Sequence, residues 1–319
     1  MSTSASRRLR ILTWHVHGNY LYNLTQLPHD FWLVTRPDRP AHYGGRIGVL
    51  PWGDNVHEAP QDEVAQMPFD LVLYQHRRQW NDDREKVLCE AQRALPRIVI
   101  EHDPPLEHPT DTRHWCDDPG AYVVHVTHYN ALMWDHGRTP HGVVEHGVKP
   151  LSEPPWTGEI ASGLVVVNHL VQRGRRLGVD VFVEARRDVP LQLVGLESEL
   201  IGGAGNVPQL ELPGLMAAHR FLFHPIRYTS LGLSVVEALH AGLPVVALAT
   251  TELANVITSG HNGYVDTRLP YLVGVMKQLI REPGLARSWG EAGQRLARER
   301  YSIARFVDDW QRVLTEVVH

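Results

Sequence analysis

The stretch Phe223–Val246, FHPIRYTSLGLSVVEALHAGLPVV, combines local signals that predict a strand, a loop, a helix and a second strand. The first apolar run ends at Pro225, and Gly242-Leu243-Pro244 ends the helix before apolar residues resume. The Thr229-Ser230 pair is suited to capping that helix, and Gly232 lets a ligand approach the backbone. Unpaired N–H groups at such a helix start favour a phosphate or a polar sugar.

Glu237 lies further along this predicted helix, among apolar residues. A carboxylate in apolar surroundings costs free energy unless it has a partner. Its position alone leaves two interpretations open. It is either an ordinary glutamate at the edge of the core or a ligand-binding residue.

The composition indicates a globular protein of about two domains, because the chain has 319 residues and 43% of them are hydrophobic. A net charge of -5 argues against bulk nucleic-acid binding. Two cysteines are too few for a disulfide framework. The N-terminal MSTSASRRLR lacks the apolar core of a signal peptide, and no apolar run approaches the ~18 residues of a membrane span. We therefore expect a cytoplasmic protein, and peripheral association with the cytoplasmic membrane surface stays open.

Short apolar runs alternate with segments long enough for helices, which predicts parallel sheets covered on both faces. The runs in the first half of the chain are Arg10–Trp14, Phe31–Val34, Leu71–Tyr74, Ile98–Ile100, Tyr122–Val126 and Val143–Glu145, and a crossover helix is predicted over Asp83–Leu95. The runs in the second half are Leu164–Val167, Leu191–Val194, Phe221–Phe223 and Pro244–Leu248, with helices near Val179–Arg187, Leu231–His240 and Tyr271–Arg281.

A segment rich in proline separates the two series and predicts a linker. We expect an N-terminal Rossmann-like domain at 1–150, a linker at 151–160, a second Rossmann-like domain at 161–300 and a terminal helix at 301–319. In that helix one apolar stripe, formed by Phe306, Trp310, Val313, Leu314 and Val317, must dock on another surface, and the N-terminal domain is one candidate. Ligands are expected at the carboxyl ends of the strands, in a cleft between the two domains.

Several segments together resemble the nucleotide-sugar half of retaining glycosyltransferases of family 4, which have the GT-B fold of two Rossmann-like domains. They are VVEHGVKP (143–150), the strand from Leu164, LVGLESE (193–199), the stretch from Phe223 to Glu252 and VITSGHNGYV (256–265). The resemblance covers nearly the whole C-terminal half and, more loosely, the N-terminal half. Its most specific part runs from Ser230 to Val246 and continues into Ser259-Gly260-His261-Asn262-Gly263.

In the family, two glutamates separated by seven residues hold the donor, the first at the sugar and the second at the ribose. The second corresponds to Glu237, but the first is replaced by Thr229. A hydroxyl can hydrogen-bond a sugar or a phosphate, but it lacks the charge of a carboxylate. The backbone of Ser230, Leu231 and Gly232 would still present N–H groups to the donor.

The family neutralises the departing diphosphate with an arginine and a lysine after the first strand of the second domain. The corresponding sequence here is NHLVQRGRRLG, which places His169 near the arginine position and Arg175 six residues later, with Arg173 and Arg176 beside it. Guanidinium groups stabilise such charge by bidentate hydrogen bonds, so the resemblance implies a catalytic role for Arg175. A solvated basic loop is the plainer alternative.

In the N-terminal half, IVIEHDP (98–104) resembles the family's strand that ends in a histidine beside the transferred sugar, which makes His102 the second predicted catalytic residue. Gly18 corresponds to the glycine-containing loop near the donor phosphates, although the Gly-Gly pair common there occurs later, at Gly44-Gly45. Arg77 and Arg78 follow the strand at Leu71–Tyr74 and could bind an acidic acceptor or face water.

The resemblance implies transfer of a sugar from a UDP- or GDP-linked donor with retention of anomeric configuration and without a required metal or other cofactor. The acceptor would be a glycan, a lipid-linked glycan or a small molecule. Nucleic acid is not expected as a partner, and the sequence does not indicate the oligomeric state.

Two alternatives stay open. A metal-dependent hydrolase would use the potential ligands after the strands of the first half, since imidazole and carboxylate suit zinc or manganese. These residues are His15, His17, Glu101, His102, Asp103, His108, His114, His125 and His128. A GT-B protein that binds a nucleotide sugar without turning it over would explain why Thr229 and His169 replace charged residues of the family.

Overall fold

The computed structural model describes residues 7–318, so most of the polar N-terminal tail lies outside the described residues. The chain divides into two compact units. The described parts of Met1–Gly147 and Ile303–His319 form the first unit, and Val148–Ser302 forms the second. No helix within residues 7–318 is long and apolar enough to cross a membrane.

The strands and helices alternate along most of the chain. The strands are β1 (Arg10–Thr13), β2 (Asp30–Thr35), β3 (Val56–Pro60), β4 (Leu71–Tyr74), β5 (Arg97–Glu101), β6 (Ala121–His125), β7 (His141–Val143), β8 (Ile160–Val166), β9 (Leu191–Val194), β10 (His219–His224), β11 (Val245–Leu248) and β12 (Gly263–Asp266). The α-helices are α1 (Gly18–Leu24), α2 (Arg84–Val87), α3 (Glu90–Arg93), α4 (His128–Met133), α5 (Leu170–Leu177), α6 (Val179–Ala185), α7 (Leu212–Ala218), α8 (Leu233–His240), α9 (Leu253–Val256), α10 (Leu269–Arg281), α11 (Pro283–Arg300) and α12 (Ile303–Val318).

Each unit is built on one parallel sheet. Over residues 7–318 the first sheet has seven strands in the order β3-β2-β1-β4-β5-β6-β7, and the second has five in the order β12-β11-β10-β8-β9. Central strands such as β4 and β11 are buried at every position, because helices or loops cover both faces of a parallel sheet. The predicted α/β class with two parallel-sheet domains is confirmed.

Most strands lie where the apolar runs predicted them, and β4 and β9 have the predicted bounds. The strand predicted at Val143–Glu145 begins two residues earlier in the structure, since β7 is His141–Val143. The strands β3 and β12 were not predicted. Both lie at sheet edges, where only Val56 and Ala59 of β3 and Gly263 of β12 are fully buried, so a continuous apolar run is not required.

The single crossover helix predicted over Asp83–Leu95 was wrong. The chain forms a π-helical turn at Gln79–Asp83 and then the short helices α2 and α3, separated where the backbone at Leu88 is extended. The buried Gln92 side chain accepts from the Cys89 backbone N–H and donates to the Val64 and Met67 carbonyls. These tertiary hydrogen bonds fix the start of α3 and are not visible in the helical periodicity.

The helix α12 belongs to the first unit. Phe306, Trp310, Val313 and Leu314 on its predicted apolar stripe are buried, and the Phe306 ring lies edge-on to Tyr20 with centroids 5.8 Å apart. The Arg305 guanidinium donates to the backbone carbonyls of Glu145 and His146, which joins the start of α12 to the end of the preceding segment of this unit.

Candidate functional site

The loop after β10 leads into α8 through Gly232, whose φ of 81° lies in the left-handed region that favours glycine. The predicted capping role of Thr229-Ser230 was wrong, because Gly232 is the N-cap and no side chain caps the helix. The positive φ at Gly232 delays the helix start to Leu233. The uncapped backbone N–H groups of the first turn therefore remain suited to an anionic ligand.

Glu237 lies on α8 and lines a small cavity of about 40 Å³ in the second unit. Its carboxylate accepts a hydrogen bond from Gln209, with Nε2 and Oε1 2.9 Å apart. Lys149, His240 and Met216 also line this cavity. Gln209 was not predicted from the sequence, because it stands in the irregular segment before α7 and no periodic pattern points to it.

The loop after β10 is fixed to the turn between α5 and α6. The Arg227 guanidinium forms two hydrogen bonds of 2.6 and 2.8 Å with the Asp180 carboxylate and one of 2.8 Å with the Arg175 carbonyl. The backbone N–H groups of Arg227 and Tyr228 both donate to the Arg176 carbonyl. Hydrogen bonding from Arg227 lowers the pKa of Asp180 to about 2. No sequence pattern indicates this pair, because its members are 47 residues apart.

The predicted cationic residues of α5 are not equivalent. Arg175 is ion-paired with Asp180 at 2.6 Å, although most of its side chain is exposed. Within residues 7–318, neither Arg173 nor Arg176 has an ion-pair partner. His169 is the N-cap of α5 with a φ of 55°, and its Nδ1 lies 3.1 Å from a carboxylate oxygen of Glu197. Arg173 and Arg176 are therefore the cations of this segment that remain available to an anion.

His102 follows directly after β5 in the first unit. Its ring lies edge-on to the rings of His17 and Tyr20, with centroids 4.4 and 4.7 Å apart. Over residues 7–318 its buried Nε2 atom has no hydrogen-bond partner. Burial lowers the pKa of His102 well below its usual value, so the ring is neutral near pH 7.

Gly18 is the first residue of α1, directly after His17. A Cβ atom at this position would lie 3.1 Å from Nε2 of His15, so a side chain would crowd the loop after β1. The loop is held by His15, whose Nδ1 is 2.6 Å from the Gly45 carbonyl oxygen. Gly44-Gly45 therefore supports this loop from a distant part of the sequence.

A second cavity, of about 290 Å³, lies in the first unit at the carboxyl ends of β4 and β5. His17, Arg77, Glu101 and His102 are among its lining residues. Arg78 does not line it, and its guanidinium lies 3.9 Å from the buried Asp83 carboxylate. The first unit thus brings His102 into a cavity, as expected for the end of a parallel strand.

The histidines considered as metal ligands do not converge on one point. In the described part of the chain, no group of three or more His, Cys, Asp or Glu side chains is arranged to hold a metal ion. His125 and His136 form a pair with their Nε2 atoms 2.8 Å apart, whereas His114 contacts the Glu101 carboxylate at 3.2 Å.

Residues 165–275 match the family model described as Glycosyl transferases group 1. A search of curated proteins finds no match to the chain. The matched segment contains β8 to β12 in part or whole and includes His169, Arg173, Arg176 and Glu237.

Solved glycosyltransferase structures share the fold. Sucrose-phosphate synthase from Thermosynechococcus elongatus superposes with a TM-score of 0.71 at 14% identity, over 97% of this chain and 99% of that chain. HepE from Anabaena in complex with UDP superposes with a TM-score of 0.69 at 14% identity, over 97% of this chain and 100% of that chain. A TarM variant from S. aureus superposes with a TM-score of 0.59 at 15% identity, over 76% of this chain and 55% of that chain. That structure is a complex with fondaparinux, alpha-GlcNAc-glycerol and UDP. Residues 165–275 are therefore similar to the Glycosyl transferases group 1 family, and the predicted GT-B fold of the chain is confirmed by its likeness to these solved structures.

Proposed function

We propose that the protein is a glycosyltransferase that transfers a sugar from a nucleotide-diphosphate-sugar donor to a glycan or related acceptor. We further propose retention of anomeric configuration and no required metal. The observation that carries the proposal is Glu237, a carboxylate that lines a cavity and is oriented by Gln209 within the matched segment. A partly buried carboxylate of this kind suits the two hydroxyl groups of a ribose.

The diphosphate would be bound by the second unit. The start of α8 has no side-chain cap, so its N–H groups and the helix dipole favour a negative charge. Arg173 and Arg176 on α5 have no carboxylate partner within residues 7–318 and can neutralise the charge that develops on the leaving group. Thr229 would contact the transferred sugar, and Gly18 would leave room for the phosphates.

Retention is proposed from the resemblance of the donor segment to retaining enzymes. In that reaction the acceptor hydroxyl attacks from the face that the diphosphate leaves. The departing phosphate oxygen can take the proton of the hydroxyl, so a separate general base is not required. His102 would bind the transferred sugar as a neutral imidazole, because burial lowers its pKa.

UDP is the first donor nucleotide to test, since HepE is in complex with UDP-glucose and the TarM variant is in complex with UDP. Thermal unfolding in the presence of UDP, GDP and their sugars would rank the donors, because a bound ligand raises the unfolding temperature by mass action. Release of the nucleotide diphosphate, with NMR assignment of the product anomer, would then test turnover and retention. An inverted product would contradict retention, and the absence of any shift would contradict donor binding.

A binding protein without turnover is the second candidate, favoured by Thr229 in place of the first glutamate and by the pairing of Arg175 with Asp180. It predicts nucleotide-sugar binding without donor hydrolysis or transfer to any acceptor. Calorimetry with the best donor, followed by an assay for released nucleotide, separates this candidate from the transferase.

A further inference from the structure

The cavity of about 290 Å³ in the first unit contains a carboxylate, Glu101, that is held in one orientation. One oxygen, Oε1, accepts the backbone N–H of Asp103 at 3.0 Å. The other, Oε2, lies 3.2 Å from His114 Nε2 and accepts the indole N–H of Trp115 at 3.1 Å. The side chain is only 11% exposed, and Glu101 lines the cavity.

The tautomer of His114 follows from its contacts. The backbone N–H of Cys116 donates to Nδ1 at 3.1 Å, so Nδ1 carries no proton. The ring therefore carries its proton on Nε2 and donates it to Glu101 as a neutral imidazole. Glu101 thus receives three N–H donors, all of them neutral. Its negative charge is stabilised but not cancelled, and about one of its four lone-pair positions remains for a ligand.

The other charged groups that line the cavity do not favour an anionic ligand. Arg77 pairs with Glu107 at 3.4 Å. Arg113 pairs with Asp117 and Asp135 at 3.6 and 3.4 Å. The lining contains three carboxylates, of Glu101, Asp103 and Glu107, against two guanidinium groups. Burial also lowers the pKa of His76, which lines the same cavity.

Two indole rings give the cavity an apolar surface. Trp115 is fixed by its bond to Glu101, and Trp134 donates its indole N–H to the Asp103 carbonyl at 3.0 Å. Both line the cavity, and both pack against His114 with ring centroids 4.6 and 4.9 Å apart. Fixed aromatic faces next to a hydrogen-bond acceptor suit a ligand that has C–H groups on one face and hydroxyl groups at its edge.

We propose that this cavity binds a neutral sugar ring of the acceptor, with a hydroxyl group donating to Glu101 and the C–H face of the ring packing against Trp115 and Trp134. The inference rests on the proposed function, because it concerns the acceptor of that transferase. A cavity of this kind selects an uncharged sugar over a phosphorylated acceptor or a uronic acid acceptor. The volume of about 290 Å³ is at the small end of ligand pockets, which suits one monosaccharide unit.

Saturation-transfer difference NMR titrations of the full chain test the proposal with matched probes. The probes are the methyl α-glycosides of glucose, mannose and galactose, each paired with the corresponding methyl glycosiduronate. We expect at least one neutral glycoside to bind more tightly than its uronate. Glu101→Gln should weaken that binding by about tenfold or more, because a charged acceptor of the hydroxyl hydrogen bond is lost. Glu63→Gln, an exposed change in the same unit, should leave it unchanged.

Tighter binding of the uronates, no binding of any neutral glycoside, or equal binding by the Glu101→Gln variant would each overturn the inference. The comparison of neutral and charged probes uses the unaltered protein, so it stands even if Glu101→Gln does not fold. Titration with UDP and GDP in the same samples tests the proposed function separately, because Glu237, Arg173 and Arg176, proposed to bind the ribose and the diphosphate, lie in the second unit. Binding of either nucleotide without neutral-glycoside binding would overturn this inference alone, whereas neutral-glycoside binding without binding of either nucleotide would overturn the transferase proposal.

Discussion

Gln209 donates a hydrogen bond to Glu237 across 2.9 Å and so orients the carboxylate that lines the cavity of the second unit. Glu237→Ala should weaken nucleotide binding by about 1.5–3 kcal/mol, which is roughly tenfold to hundredfold in Kd, because hydrogen bonds to a charged acceptor are lost. Isothermal titration with the nucleotide that ranks first by thermal shift measures the change. Glu184→Ala, an exposed change in the same unit, is the control. Equal affinity for the Glu237 variant would show that this carboxylate does not bind the ribose.

Thr229 stands where the resemblance predicts a glutamate at the sugar of the donor. Thr229→Glu should change the relative affinities for nucleotide sugars that differ only in the sugar, because a carboxylate accepts hydroxyl protons more strongly than a threonine does. Affinity for the free nucleotide diphosphate should stay within about twofold and serves as the internal control. A uniform change across all sugars and the free nucleotide would place Thr229 away from the sugar.

Gly178 joins α5 to α6 at a φ of 80°, and a Cβ atom there would lie 2.0 Å from the carbonyl oxygen of Pro225. Gly178→Ala should therefore lower the free energy of unfolding by about 1–3 kcal/mol, from backbone strain and displacement of the loop after β10. Gly274→Ala in α10 is the matched control, since a Cβ there meets no atom within 4 Å. The control should be neutral or stabilise by up to about 1 kcal/mol. Urea denaturation measures the free energy of unfolding of both variants. Equal effects of the two substitutions would contradict backbone strain at Gly178.

We expect His125 and His136, whose pKa values are lowered, to make the first unit less stable in acid. Burial, reinforced by His136, lowers the pKa of His125 to about 2, and burial lowers that of His136 to about 4. Between about pH 6.5 and those values the unfolded chain binds protons that the folded chain does not, so stability falls as the pH falls. The slope reaches about 1.4 kcal/mol per pH unit for each such group. Denaturation titrations at several pH values should show this decline.

His125→Gln removes one of these groups and should flatten the decline between about pH 6.5 and pH 4. His108→Gln, at an exposed position, serves as the control and should leave the slope unchanged. The same slope for His125→Gln as for the unaltered protein would mean that His125 does not contribute to the acid sensitivity.

The sequence by itself predicted the two parallel-sheet domains and showed the family resemblance of the stretch after Phe223. Buried parallel strands need continuous apolar runs, so β4 could be predicted to the residue, and the stretch after Phe223 indicated its strand, loop and helix. The position of Glu237 among apolar helix residues left two interpretations open, and the resemblance to family 4 made it a predicted donor-binding residue.

Only the tertiary structure decided which side chains meet. The helix start at Gly232, the Asp180–Arg227 pair and the contacts of Glu101 with His114 and Trp115 depend on the path of the backbone and on groups distant in sequence. Local periodicity carries no information on such contacts. Three neighbouring arginines could be named from the sequence, but only the fold showed that Arg175 forms an ion pair with Asp180, which also binds Arg227.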